Sequence, residues 1–313
     1  MKNGTPKDTD RIKAILKRVR RLEITTRHQA SAVFSGHYRS VFRGRGIEFS
    51  EVRDYQYGDS VRFIDWNVTA RMNRPYIKQF VEERELTILL CIDVTPAMYF
   101  GSQPSGEPEA PGFERRFKID LATEMAATLA VSAAMNNDKV GLLLFDHAVR
   151  KYLPAKKGRE TTMRILREII NHVPQTGRCN MPAVFNHLLH TQKKRAIVVI
   201  ISDFSGLGDM PQLNLLRRKH DVIPIVVGDK REFELPAAGW LKVFDPARNR
   251  NFSINTSSRR VREQYARVAR QERDQVLSLF KKRGIDFIEI FTHDQYMTAL
   301  LRFFKKREKR FAL

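Results

Sequence analysis

From about Leu86 onward, continuous apolar runs alternate with segments of helical period. The runs are "LTILLCID", "KVGLLLF", "RAIVVIISD", "VIPIVVG" and "DFIEIFT". Most of them are apolar at every position, which is typical of parallel strands covered by helices on both faces. The pattern therefore predicts an α/β fold built on a doubly wound, mainly parallel sheet flanked by helices.

The segments between these runs carry apolar residues at helical spacing. A further segment, "AVRKYLP", follows the second strand closely and is predicted to form an antiparallel edge strand. The predicted helices lie near Lys118 to Met135, Glu160 to Asn171, Ala183 to His190, Leu213 to Lys219, Val261 to Lys282 and Asp294 to Lys306.

The first 85 residues differ from the rest of the chain. They begin with a basic amphipathic helix around "RIKAILKRVRR" and continue as an arm rich in Arg, Gly and aromatic residues, which we expect to form short strands and turns. We divide the chain into this N-terminal part (1–85), the α/β domain (86–307) and a C-terminal tail (308–313). "GSQPSGEPEAPGFERR", from Gly101 to Arg116, is predicted to be a mobile surface loop.

Charge and cysteine content narrow the possible settings of the protein. The 313 residues include 56 Lys and Arg against 35 Asp and Glu, a net charge of +21, which predicts weak, salt-labile binding to polyanions. No apolar run is long enough for a membrane span, and no signal peptide is visible. Two cysteines do not make a disulfide framework, so we expect a reducing, cytoplasmic location.

Acidic residues end two of the predicted strands. Asp93 ends the first strand of the sheet and Asp203 ends "RAIVVIISD", and ligands of open parallel sheets bind beyond such ends. With the hydroxyl of Thr95, these carboxylates are hard oxygen ligands that would suit Mg²⁺. The alternative is that each acid only caps the turn that follows its strand.

The arm segment "EVRDYQYGDSVRFIDWNVTAR" combines guanidinium groups, carboxylates and aromatic rings. We expect a buried ion-pair network that ties the arm to the sheet. The alternatives are a docking face for a partner protein and a nucleic-acid surface in which "FRGRG" contacts phosphates. The charged members are Arg53, Asp54, Asp59, Arg62, Asp65 and Arg71, and the rings are Tyr55, Tyr57, Phe63 and Trp66.

Several of these segments together resemble a known family. "FRGRGIEFSEVRDYQYGDSVRFIDWNVTARMNRPYIKQFVEERELTILLCIDVTPAM" is similar to the signature of the domain of unknown function 58 family, and the resemblance continues through "DKVGLLLFD", "KGR", "SDF" and "KREFELPAAG". The resemblance implies a von Willebrand factor A-like domain and a protein-binding role. It also implies association with MoxR-type AAA+ ATPases and with other von Willebrand factor A-like proteins in assembly or cofactor insertion.

The resemblance also implies a metal-ion-dependent adhesion site. Its pattern carries over to Asp93, Thr95, Ala97, Cys179 and Asp203. Ala97 offers no oxygen and Cys179 offers a sulfur that suits Mg²⁺ poorly, so we expect a degenerate site with weak or absent metal binding. Thr176 is an alternative to Cys179 that the alignment does not favour.

We therefore expect a non-catalytic interaction module. No Gly-rich phosphate loop, zinc-ligand spacing or nucleophile elbow is present in the sequence. The alternatives are a metal-dependent phosphohydrolase or nuclease that uses Asp93, Asp203 and Asp65, and a basic RNA-binding protein. The residues that we expect to contact a partner are Arg53, Asp59, Arg62, Asp65, Trp66 and Arg71.

Overall fold

A computed structural model describes residues 48–81, 85–102, 117–245 and 250–311. Ten strands and seven α-helices lie within these ranges. The strands are β1 (Glu48–Asp54), β2 (Tyr76–Val81), β3 (Thr87–Asp93), β4 (Lys139–Phe145), β5 (Val149–Lys156), β6 (Ile197–Ser202), β7 (Asp221–Gly228), β8 (Trp240–Asp245), β9 (Arg250–Asn255) and β10 (Ile288–Phe291). The helices are α1 (Trp66–Met72), α2 (Lys118–Met135), α3 (Arg159–Ile170), α4 (Met181–Thr191), α5 (Pro211–Lys219), α6 (Arg259–Lys282) and α7 (Tyr296–Phe311).

Six strands form the central sheet in the order β10, β7, β6, β3, β4, β5. All neighbouring pairs are parallel except β4 and β5, which are antiparallel. The prediction of a doubly wound, mainly parallel sheet with an antiparallel edge is therefore confirmed. The chain runs from β3 to one edge and then returns to β6 to build the other, so the strand order reverses between β3 and β6.

Alternate residues of β3 face two separate hydrophobic layers. Ile88, Leu90 and Ile92 pack with α2, α3 and α7, whereas Leu89 and Cys91 pack with α4, α5 and α6. Because side chains of a strand alternate between its two faces, a strand that is apolar throughout needs a helical layer on each side.

The structure can be compared with the predictions for the two terminal parts of the chain. Two short strands, β1 and β2, pair antiparallel in the arm as expected, and a short helix, α1, lies between them. Helix α7 continues to Phe311, beyond the predicted helix end at Lys306 and into the residues assigned to the C-terminal tail. The predicted basic helix near the N-terminus and most of the predicted loop, residues 103–116, lie outside the described residues.

A hairpin of β8 and β9 was missed by the sequence analysis. It forms a separate two-stranded sheet between β7 and α6. Its strand β8 alternates exposed and partly buried positions, a pattern that is typical of a half-buried strand. Among the described helices, none is both long and apolar enough to cross a membrane.

Gly141 on β4 leaves room for a close approach of the neighbouring strands. A Cβ atom there would lie 2.8 Å from the Leu153 carbonyl oxygen and 2.9 Å from the Ala155 backbone nitrogen. We expect Gly141→Ala to lower the free energy of unfolding by about 1–3 kcal/mol through overpacking, as measured by urea denaturation. Gly208→Ala is the matched control, because a Cβ atom at Gly208 meets nothing within 4 Å. Equal stability of the two variants would contradict the prediction.

Candidate functional site at the strand ends

Asp93 lies at the point where the strand order of the sheet reverses. It is the last residue of β3 and is fully buried. The neighbouring strand β6 ends at Ser202, so Asp203 follows directly beside it. The fold therefore brings the two predicted acids to one edge of the sheet, as expected for the carboxyl ends of adjacent parallel strands.

Both carboxylate oxygens of Asp93 accept hydrogen bonds from within the chain. The Ser202 hydroxyl donates to one oxygen at 2.6 Å, and the Thr95 backbone N–H donates to the other at 2.9 Å. Ser202 is itself held by the Phe204 backbone N–H, which donates to its hydroxyl oxygen at 2.9 Å. The capping role considered from the sequence thus describes the bond from Thr95 to Asp93.

Asp203 lies between a backbone donor and a buried lysine. The Lys118 ammonium donates to Asp203 at 2.9 Å and to Glu232 at 2.5 Å, and its side chain is 0% exposed. The Ser205 backbone N–H donates to the other Asp203 oxygen at 2.9 Å. The ammonium therefore joins the start of α2 to the end of β6 and to the turn after β7.

The pKa values at this edge diverge. Burial, together with the negative charge of Asp203, raises the pKa of Asp93 to about 6. Burial alone would also raise the pKa of Asp203, but the Lys118 ammonium brings it below its usual value. Burial alone would lower the pKa of Lys118, but the charges of Asp203 and Glu232 hold it above its usual value. Lys118 is therefore charged at neutral pH. Ionisation is less favourable for Asp93 than for Asp203, because the pKa of Asp93 is raised and that of Asp203 is lowered.

A second buried acid, Asp229, extends the network to β7 and β10. It accepts the Ser102 backbone N–H at 2.9 Å and the Thr292 hydroxyl at 2.5 Å. The Asp229 backbone N–H in turn donates at 2.8 Å to Glu232, whose other oxygen accepts from Lys118. The hydrogen bonds of Lys118 and Asp229 thus connect polar groups at the ends of three strands, β6, β7 and β10.

Four of these polar residues were not predicted from the sequence, namely Lys118, Ser202, Asp229 and Glu232. A signal existed for two of them, since Asp229 and Glu232 have the three-residue spacing of a capping box, which they form. Lys118 is the single basic residue of an otherwise largely apolar helix, and this pattern is a weaker signal.

The remaining residues that the resemblance implies for the metal site differ in how deeply they are buried. Thr95 is buried next to Asp93. Burial, together with the negative charges of Asp93, Asp203 and Asp146, raises the pKa of the Cys179 thiol. Thr176, the alternative to Cys179, is exposed. Ala97 lies in the 3-10 turn that follows β3.

These groups fit a divalent metal ion poorly. Asp93 already accepts two internal hydrogen bonds, and an ammonium already neutralises Asp203. Within the described ranges, no three His, Cys, Asp or Glu side chains are grouped so that they could hold a metal. The site consists of buried or partly buried carboxylates that accept hydrogen bonds from one ammonium, from hydroxyls and from the backbone.

We expect the raised pKa of Asp93 to be visible in the pH dependence of stability. The folded-state pKa of about 6 exceeds the ordinary unfolded value, which is about 3.9. Protonated Asp93 therefore favours the folded chain, and this contribution is lost as the pH rises through about 6. Asp93→Asn should remove that loss, as shown by urea denaturation of both proteins from pH 4 to pH 7. Parallel curves would contradict the assignment.

Residues 48–81, which the structure describes within the arm, do not form the predicted buried ion-pair network. Arg53 and Asp59 form a bidentate pair with both distances at 2.8 Å, but the Arg53 side chain is 36% exposed. Asp65 caps α1, accepting the backbone N–H groups of Asn67 and Val68. The buried network is therefore a wrong prediction, because the described arm is organised by turn and capping contacts. The side chains of Asp54, Tyr57, Arg62, Trp66 and Arg71 are exposed.

Comparison with known proteins gives a clear sequence match. Residues 51–275 match the family described as "Protein of unknown function DUF58". The uncharacterized protein Rv1480 of Mycobacterium tuberculosis is 30% identical over 296 residues, which cover 93% of this chain and 89% of that protein. The uncharacterized protein MAV169 of Mycobacterium avium is 27% identical over 162 residues, which cover 50% of this chain and 94% of that protein.

Among the solved structures that match this chain are a conserved hypothetical protein and a VWA domain. The conserved hypothetical protein BatB from Bacteroides thetaiotaomicron has a TM-score of 0.43 and 11% identity, and the match covers 72% of this chain and 99% of that chain. The SpRpn10 VWA domain has a TM-score of 0.33 and 11% identity, and the match covers 71% of this chain and 95% of that chain.

Proposed function

We propose that this chain, which belongs to the DUF58 family of proteins of unknown function, is a non-catalytic protein-interaction module. We propose further that it works in the cytoplasm beside a MoxR-type AAA+ ATPase, in the assembly or maturation of other proteins. The observation that carries the proposal is a set of apolar and cationic residues on the arm, each of which is exposed. We call this set the arm surface, and it consists of Val61, Arg62, Trp66, Arg71 and Met72.

Helix α1 presents much of this surface. None of its seven residues is buried, and Trp66 is 66% exposed. A helix this short gains too little from its own backbone hydrogen bonds to be stable, and a helix normally buries one face to compensate. The capping of α1 by Asp65 and the left-handed Asn73 at its end hold it in place without a buried face. Its apolar side chains are thus available to a partner.

The composition of the arm surface suits a protein partner. Tryptophan and arginine are the residue types most enriched at the energetic centres of protein interfaces. Met72 adds a flexible apolar side chain that adapts to different partners. Arg62 and Arg71, together with the net charge of +21, favour an acidic face on the partner. We propose that the ATPase supplies this face.

The test is direct binding between the purified chain and the co-encoded MoxR-type ATPase by biolayer interferometry. We expect binding that persists in EDTA when no nucleotide is present, and that persists at salt concentrations that strip polyanions. RNA is titrated in the same salt series. Loss of ATPase binding at moderate salt, with RNA binding retained, would contradict the proposal and favour the RNA-binding alternative.

The hydrolase alternative has a separate test. Asp65 caps α1, and the oxygens of Asp93 and Asp203 accept hydrogen bonds from within the chain, so the three acids that this alternative needs have structural partners. We expect no cleavage of a generic phosphodiester in the presence of Mg²⁺ or Mn²⁺. Metal-dependent turnover that disappears in Asp93→Ala would refute the non-catalytic proposal.

A further inference from the structure

We infer that Lys118 is a built-in cation that takes the place of a divalent metal ion at the strand ends. Its ammonium lies 2.9 Å from Asp203 and 2.5 Å from Glu232, and its side chain is fully buried. Asp203 is one of the two carboxylates that the family resemblance assigns to a metal site. The positive charge at this edge of the sheet is therefore supplied by the chain itself.

The carboxylate oxygens that a metal ion would need already accept hydrogen bonds from donors of this chain. A divalent ion shared by Asp93 and Asp203 would compete for oxygens that already accept hydrogen bonds from the Ser202 hydroxyl, the Thr95 backbone N–H and the Lys118 ammonium. The backbone N–H groups of Ser205 and Asp229 occupy further oxygens of Asp203 and Glu232. Each displaced donor would be a buried polar group without its partner, which is costly.

A fixed ammonium differs from a metal ion in two ways. It carries one positive charge against the two carboxylates that it contacts, Asp203 and Glu232. It is also held by the backbone of α2, so no chelator can remove it and no acidic group of a partner can coordinate it. The strand ends are therefore a metal-independent part of the protein, whatever binds the arm surface.

The test measures Mn²⁺ binding by the loss of the free-ion signal in electron paramagnetic resonance. We expect the unaltered chain to bind no Mn²⁺ at this site. Lys118→Ala removes the ammonium and opens the space next to the Asp203 and Glu232 carboxylates, so it should bind one Mn²⁺ with an affinity at least about tenfold above any that the unaltered chain shows. Adding Asp203→Asn to Lys118→Ala should abolish that binding. Lys139→Ala is the matched control, because Lys139 pairs with Glu85 at a half-exposed position.

Each outcome decides the inference. Stoichiometric Mn²⁺ binding by the unaltered chain that Asp93→Asn removes would overturn it. A folded Lys118→Ala variant, verified by circular dichroism, that gains no Mn²⁺ would overturn it as well. If Lys118→Ala folds only when Mn²⁺ is present, the inference is supported. If it does not fold at all, the titration of the unaltered chain alone decides. These measurements do not involve the ATPase, so they stand apart from the test of the proposed function.

Discussion

Lys118→Met should lower the free energy of unfolding by about 3–5 kcal/mol at pH 7, because it leaves buried carboxylates without their counter-charge. Asp203 and Glu232 both accept from the Lys118 ammonium, and the Asp203 side chain is 9% exposed. Methionine fills a volume similar to that of the lysine stem, so the loss reports on the charge rather than on a cavity. Urea denaturation measures it.

The matched control for this prediction is Lys139→Met. Lys139 pairs with Glu85 at 2.7 Å, but both side chains are nearly half exposed. Solvent screens such pairs, so this variant should unfold close to the urea midpoint of the unaltered chain. A Lys118→Met variant as stable as Lys139→Met would show that the buried ammonium does not hold the strand ends together.

Trp66→Ala should weaken binding to the ATPase by at least about 30-fold, the loss expected when a central tryptophan of an interface is truncated. The melting temperature should not change, because Trp66 is 66% exposed and α1 buries none of its residues. Biolayer interferometry gives the affinity and differential scanning calorimetry gives the melting temperature. A fall in both would instead assign Trp66 a structural role.

Trp240→Ala is the matched control for the arm surface. Trp240 lies on β8 in the separate hairpin and is 72% exposed, so it resembles Trp66 in type and exposure but not in place. We expect its affinity for the ATPase to match that of the unaltered chain. Equal losses from Trp66→Ala and Trp240→Ala would mean that the partner contacts both surfaces, and an effect of Trp240→Ala alone would refute the arm surface.

The central sheet could be predicted from the sequence because its signal is local. A strand such as β3 is apolar at every position, and such a run is stable only when both of its faces are covered. Helix α2 was predicted for the same local reason, and its observed bounds, Lys118–Met135, are those predicted from the sequence. The hairpin of β8 and β9 was missed, since its two strands are short, partly exposed and interrupted by polar residues.

The sequence predicts that Asp93 and Asp203 lie at the same edge of the sheet. It does not predict which groups form hydrogen bonds or ion pairs with them. Two strand-end acids must meet at one edge of a parallel sheet when their strands are neighbours. Their partners come from distant parts of the chain, since Lys118 and Asp203 are 85 residues apart and Lys118 and Glu232 are 114 apart. No periodic pattern links residues at such separations, so only the folded chain could show that an ammonium lies beside these acids.

The sequence by itself determined the layers of the α/β domain, because hydrophobic periodicity states which faces must be covered. It also determined that the arm combines Arg, acidic and aromatic residues. Only the tertiary structure decided that Trp66 and Arg71 are exposed rather than buried, and that Asp65 caps α1. The physical reason is that a charged group can be buried only when hydrogen bonds or opposite charges offset the free-energy cost of its desolvation. The whole fold determines which groups lie close enough to do so.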